Sequence, residues 1–112
     1  MTPTARTLRY LRDLGYYADV VERWIMFGCS GLGVRRDYCG FADIIAFHPL
    51  HKIIVAIQTT STAVSGRKEK IRSNQAATDW VRSGGHLWVV GWRKIKGKWT
   101  PRFDDERSMG LT

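Results

Sequence analysis

Two apolar runs end in oxygen donors. Residues 41–47, "FADIIAF", carry one carboxylate, Asp43, and residues 52–61, "KIIVAIQTTS", turn polar abruptly at Gln58, Thr59 and Thr60. Apolar side chains on both parities mark each run as a central strand buried on both faces. A carboxylate in such a place is costly unless it is hydrogen-bonded, paired or bound to a cation. With a four-residue turn over 48–51, Phe47 faces Lys52, and Asp43 lies opposite Ala56 on the same face as Gln58 and Thr60. Asp43, Gln58 and a backbone carbonyl near Thr59 then offer oxygen ligands to a hard ion such as Mg2+, which takes one or two carboxylates and keeps several waters. The same spacing fits an Asp that caps a loop and a Gln that bonds to backbone at a strand end, and both readings stand at this point. Asp37 in "RRDYCGFAD" and Glu22 in "VVERW" are further carboxylates within reach of the same edge.

The elements that must position these groups follow from periodicity and punctuation. "TPTARTLRYLRDLG" predicts a first helix, with Thr2 as cap, Pro3 in the first turn, Leu8, Leu11 and Leu14 on one face, and Gly15 as the stop. "YADVVERWI" reads as one strand, and the glycine-punctuated "MFGCSGLGVRRDYCG" as a loop or bent strand edge. Two strands flank the turn "HPLH", whose histidines His48 and His51 read as solvated loop residues. One helix fits "SGRKEKIRSNQAATDWVRSGG" up to its Gly-Gly stop. "HLWVVGWRKI" is a further strand, "KGKWTPRFDD" an edge strand because Pro101 cannot donate to a ladder, and "RSMGLT" a frayed end. The order is α-β-β-β-α-β-β, a mixed α/β sheet in a single domain over residues 1–112.

Eighteen Lys plus Arg against ten Asp plus Glu give a net charge of +8, which favours a polyanionic partner. No run approaches a transmembrane helix and no signal peptide opens the chain, so no membrane role is expected. Cys29 and Cys39 lack zinc-site spacing and are expected to stay reduced in a cytoplasm, with a disulfide between them left open. Two basic clusters, "GRKEKIR" and "WRKIKGKW", supply Arg67, Lys68, Arg72, Arg93, Lys94, Lys96 and Lys98 as phosphate contacts, joined by Arg35 and Arg36. Trp80 and Trp88 read as core, while Trp99 is open to either core or base stacking.

"RRDYCGFADIIAF", "IIVAIQTTS" and "RKEKI" together resemble the phage and bacterial branch of the PD-(D/E)XK nuclease superfamily, which includes archaeal-type Holliday-junction resolvases. The resemblance spans about residues 4–104. It implies an α-β-β-β-α-β restriction-endonuclease-like core, a mixed central sheet flanked by helices. By position Asp43 matches the metal-binding Asp, Gln58 the acidic residue and Thr60 the lysine of the usual acidic-X-Lys motif. "QTT" departs from that motif in the way this branch does, with a preceding Asp-X-X-Gly like "DYCG". Gln keeps a coordinating carbonyl but lacks a charge, which Asp37 or Glu22 would restore. Thr60 is no cation, so a lysine from the next helix would replace it, Lys70 in preference to Lys68. The resemblance thus implies a Mg2+-dependent DNA endonuclease, with Mn2+ able to substitute. It also implies a symmetric homodimer acting on branched DNA in the cytoplasm of a bacterial cell or phage-infected host. The alternatives are a nuclease-fold module that binds nucleic acid without cleaving it, and a protein-interaction domain, against which the charge argues.

Overall fold

Thr2 opens the first helix, α1 (Pro3–Asp13): its Oγ1 accepts from the Ala5 N–H at 3.1 Å, and Pro3 sits where a missing N–H costs nothing. The computed structural model describes residues 1–28 and 31–111. After α1 come β1 (Tyr17–Val20), β2 (Arg23–Met26), β3 (Gly33–Arg36), β4 (Ile44–His48) and β5 (Ile53–Thr60). The chain then forms α2 (Val64–Arg72), α3 (Gln75–Arg82), β6 (His86–Ile95) and β7 (Lys98–Asp104). The main sheet has the order β1-β4-β5-β6-β7 and is mixed: β5 and β6 are parallel, joined across α2 and α3, and the other neighbours are antiparallel. β2 and β3 form a separate two-stranded ribbon.

Two-sided apolarity in "DIIAF" and "IIVAI" has its cause in two cores. Ile44, Ala46, Val55 and Ile57 pack with Leu11 and Trp92 on the α1 side. Ala42 and Ala56 join Ile71, Ala77, Leu87 and Val89 on the α2–α3 side. The Trp92 indole N–H donates to Thr7 Oγ1 at 2.8 Å, which ties α1 to the sheet. A Cβ at Gly91 would lie 2.5 Å from Val64 Cγ2, so only glycine lets α2 settle this closely on β6.

Several boundaries differ from the sequence reading, each for a local reason. The single strand expected over "YADVVERWI" divides: β1 keeps its pairing with β4 as far as the Val21 N–H, which donates to Asp43 O (2.8 Å), and the chain then leaves the sheet to form β2 of the separate ribbon. The helix expected as one piece divides at Asn74, whose Oδ1 accepts from the Ala77 N–H at 3.2 Å and caps α3. In the central hairpin His48 pairs with Ile53, so Phe47 faces Ile54 rather than Lys52. Lys52 closes the turn in a left-handed conformation (φ 54°), its N–H bonded to His48 O. That shift of two residues sets Ile44 against Ile57 and brings Asp43 abreast of Gln58 instead of Ala56.

His48 is buried rather than solvated: Nδ1 accepts from the Leu50 N–H (3.1 Å), which leaves Nε2–H to donate to Leu14 O (3.0 Å). The C-terminal residues are held, not frayed. Met109 is buried in the α2–α3 core, and Arg72 Nε donates to its carbonyl at 3.1 Å. Cys39 is exposed and free, and Cys29 lies outside the described residues. Among the described residues no helix is long and apolar enough to cross a membrane.

Candidate functional site

Three segments deliver carboxylates to one end of the sheet. Asp43 immediately precedes β4 and is buried; its Oδ2 accepts from the Thr59 N–H at 2.9 Å and from Gln58 Nε2 at 2.5 Å. Asp37 follows β3 and starts a tight turn in which its carbonyl accepts from the Gly40 N–H at 3.2 Å. Cys39 (φ 50°) and Gly40 (φ 77°) complete the turn in left-handed conformations, which accounts for the glycine of "DYCG". Glu22 sits just before β2. One carboxylate oxygen from each of Glu22, Asp37 and Asp43 lies within 4.8 Å of the others.

The electrostatics of this cluster are strained. Burial, first, and then a hydrogen bond to Asp37 and the Asp37 charge push the Asp43 carboxyl up to about 7, against the opposing hydrogen bonds from Thr59 and Gln58. Burial and the neighbouring Asp37 thus favour the protonated form of Asp43. Lys70 Nζ lies 3.5 Å from Asp37 Oδ2, and Arg35 lies 3.6 Å from Glu22 Oε1. Beside them Gln58 is fully buried, and its Oε1 has no hydrogen-bond partner. An orphaned buried acceptor is costly. Three carboxylates and a spare amide oxygen make an all-oxygen donor set, which suits a hard divalent cation such as Mg2+ or Mn2+. Glu22, Asp37, Asp43 and Gln58 are the residues that would hold it.

Thr59 contributes its N–H to Asp43, and its buried hydroxyl has no partner. Thr60 acts structurally. Its Oγ1 accepts from the N–H groups of Thr62 (3.3 Å) and Ala63 (3.2 Å), leading the chain into a helix whose own N-cap, Ala63, offers no side-chain acceptor. A cleft of about 1200 Å³ opens over the carboxylates and is bordered by Thr4, Arg23, Arg36, Arg67 and Lys70.

The basic residues of the two sequence clusters separate into three groups. Arg67 and Lys70 face the cleft. Lys68 instead pairs with Asp104 at 3.1 Å, and Arg72 holds Glu69 at 3.3 Å together with the Met109 carbonyl. Arg93, Lys94, Lys96 and Lys98 are exposed on the β6–β7 hairpin. Thr60 pairs with Gly91, so β6 runs on to Ile95 past the end of β5, by about 13 Å at strand rise. This basic hairpin therefore projects from the same sheet end as the carboxylates. Trp99 is exposed there, with the Arg6 guanidinium 3.9 Å above its ring. Trp88 is half-buried against the α1-side core, and Trp80 packs on the other, its indole N–H donating to His86 O at 2.7 Å.

Three contributors escaped the sequence reading. Asn74 caps α3 and also donates from Nδ2 to Cys39 O at 3.1 Å, fastening the Asp37 turn to the helices. A lone Asn inside a helical pattern was its only signal. Arg23 and Trp24 belong to the ribbon, which the periodicity did not resolve. Comparison with models of known protein families, with curated proteins and with solved structures found no match.

Proposed function

We propose that this chain is a divalent-metal-dependent DNA endonuclease on an α-β-β-β-α-β restriction-endonuclease-like core. In this reading α1, β1, β4, β5, α2–α3 and β6 are the core, the β2–β3 ribbon is an insertion, and β7 is an added edge. One observation carries it: Glu22, Asp37 and Asp43 converge beside the buried Gln58 amide in a cleft that also presents Arg67 and Lys70. When bound, a divalent ion supplies Lewis acidity toward a phosphoryl oxygen. Arg67 binds a phosphate by charge-assisted hydrogen bonds. Lys70, next to Asp37, orients the attacking water and donates to the phosphate. Asp37 takes the proton from that water as the P–O bond breaks. The water oxygen bonds to phosphorus, the departing strand end leaves as an oxyanion that takes a proton from solvent to become a hydroxyl, and the other end keeps the phosphate. A two-fold dimer placing paired cuts in branched DNA fits the chain's small size.

A second reading, a module that binds DNA without cutting it, draws on Gln58 and Thr60, where a carboxylate and a cation would strengthen catalysis. Incubating linear, nicked and four-way-junction DNA with the protein in Mg2+, Mn2+ or EDTA separates the two. Metal-dependent cleavage that EDTA abolishes is the expected result. Binding without cleavage in either metal favours the second reading.

A further inference from the structure

The β2–β3 ribbon touches no other helix or strand among the described residues, yet it carries an exposed tryptophan. A two-stranded hairpin alone has little to stabilise it and gains no core from such a residue. The Trp24 ring is bedded on the backbone of Gly33, where an added Cβ would meet the indole at 2.5 Å. Its N–H is satisfied by Met26 Sδ at 3.0 Å, and the residue remains 53% exposed. This is a flat platform, fixed in orientation and open to solvent. Across the ladder, Trp24 pairs with Arg35 on the same face.

On the opposite face Arg23 lies directly across from Arg36. Like charges in that position repel, and neither guanidinium has an acidic partner among the described residues. Both border the cleft, and the ribbon is flanked in sequence by two of the carboxylates, Glu22 and Asp37. Whatever Arg23 and Arg36 grip therefore lies in the same cleft as those carboxylates.

We infer that the β2–β3 ribbon selects nucleic acid with an unstacked base: Trp24 stacks on the base on one face, and Arg23 with Arg36 on the other face holds a phosphate farther along the strand, where it passes over the ribbon into the carboxylate cleft. An aromatic platform stacks on any base face, and arginines along the path of the strand neutralise its backbone. The net charge of +8 and the two arginines without acidic partners favour a polyanionic occupant over a second copy carrying the same charge. The inference rests on the nucleic-acid part of the proposed function and not on cleavage.

Anisotropy titrations in EDTA, with single-stranded, gapped and fully paired DNA oligonucleotides, test it without any chemistry. Trp24→Ala should weaken binding to single-stranded and gapped DNA by roughly tenfold or more, and binding to paired DNA by under about threefold. Gly33→Val, which unseats the indole while keeping it, should reproduce that loss, and Trp24→Phe should restore most of it. The double variant Arg23→Ala/Arg36→Ala should lower the salt slope on single strands by about one unit. 2-Aminopurine in the gap should be quenched by the parent and not by Trp24→Ala. Unchanged affinity for unpaired DNA in a folded Trp24→Ala variant overturns the inference. So does conversion of a parent dimer to monomer by that variant, which would assign Trp24 to a protein interface. Selective loss of unpaired-DNA binding supports the inference even if no substrate is ever cut, and cleavage with no such loss contradicts the ribbon's role alone.

Discussion

Asp43 is held by two donors and pressed by one neighbour, and its behaviour follows from that balance. Its carboxyl sits at about 7, far above its ordinary 3.8, so the folded chain keeps a proton that the unfolded chain has already released across that window. Stability should therefore be highest below about pH 4 as far as this group is concerned, and should fall as pH rises toward 7. In the proposed function a divalent cation would replace the proton, so metal affinity should climb as pH passes through the same range. Melting curves from pH 4.5 to 8, with and without Mg2+, check both signs; a melting temperature indifferent to Mg2+ at pH 8 would contradict them. Gln58→Glu sharpens the point, since a carboxylate is the stronger ligand for a hard ion but adds charge next to Asp43. The variant should melt below the parent in EDTA and gain more from Mg2+ than the parent does. Asp43 and Gln58 were legible in the sequence because each interrupts a run that is apolar on both faces. Their direct opposition was not. It depends on Lys52 adopting a left-handed turn that no glycine announces.

At the scale of elements, the site depends on a junction. Asn74 caps α3 with one end of its amide and holds the Asp37 turn with the other. Asn74→Ala should cost about 1 kcal/mol for the lost cap, roughly 4 °C in melting temperature for a domain this size, and should also weaken Mg2+ binding. Calorimetry of the variant reads both effects, and a purely structural cap would change only the first. Two lysines on one helix provide a further contrast. Lys68 supports Asp104 at 3.1 Å, whereas Lys70 reaches Asp37 at 3.5 Å. Lys68→Ala should lower stability with little change in cleavage per folded molecule, and Lys70→Ala should do the reverse, as melting and rate measurements on both would reveal. The long strands β5 and β6 were legible from their apolar runs and the first helix from its cap and leucines. The ribbon was not, because strands with no core to face carry no buried period. Nor was the break between α2 and α3, which a single side chain creates inside an otherwise continuous helical pattern.

Taken whole, the molecule concentrates its positive charge at one sheet end. The arginines of the ribbon, with Arg67 and Lys70, border the cleft over the carboxylates, and the β6–β7 hairpin projects from the same sheet end, while the net charge is +8. The charge itself was plain in composition, but its gathering depends on how far β6 outruns β5, a matter of register. DNA affinity should fall by roughly 10³-fold between 50 and 200 mM salt if about six phosphates are contacted. A flat salt dependence would remove the nucleic-acid reading. The metal-dependent cleavage proposed for the carboxylate cleft is tested by comparing parent and Asp43→Asn side by side. Single-turnover cleavage of one DNA substrate is measured across an Mg2+ titration, and affinity for the same DNA in EDTA. Cleavage should fall by roughly a thousandfold while affinity stays equal or tightens slightly, because the change removes a metal ligand and a charge repelling phosphate. Equal cleavage by the two proteins would contradict a metal held by Asp43.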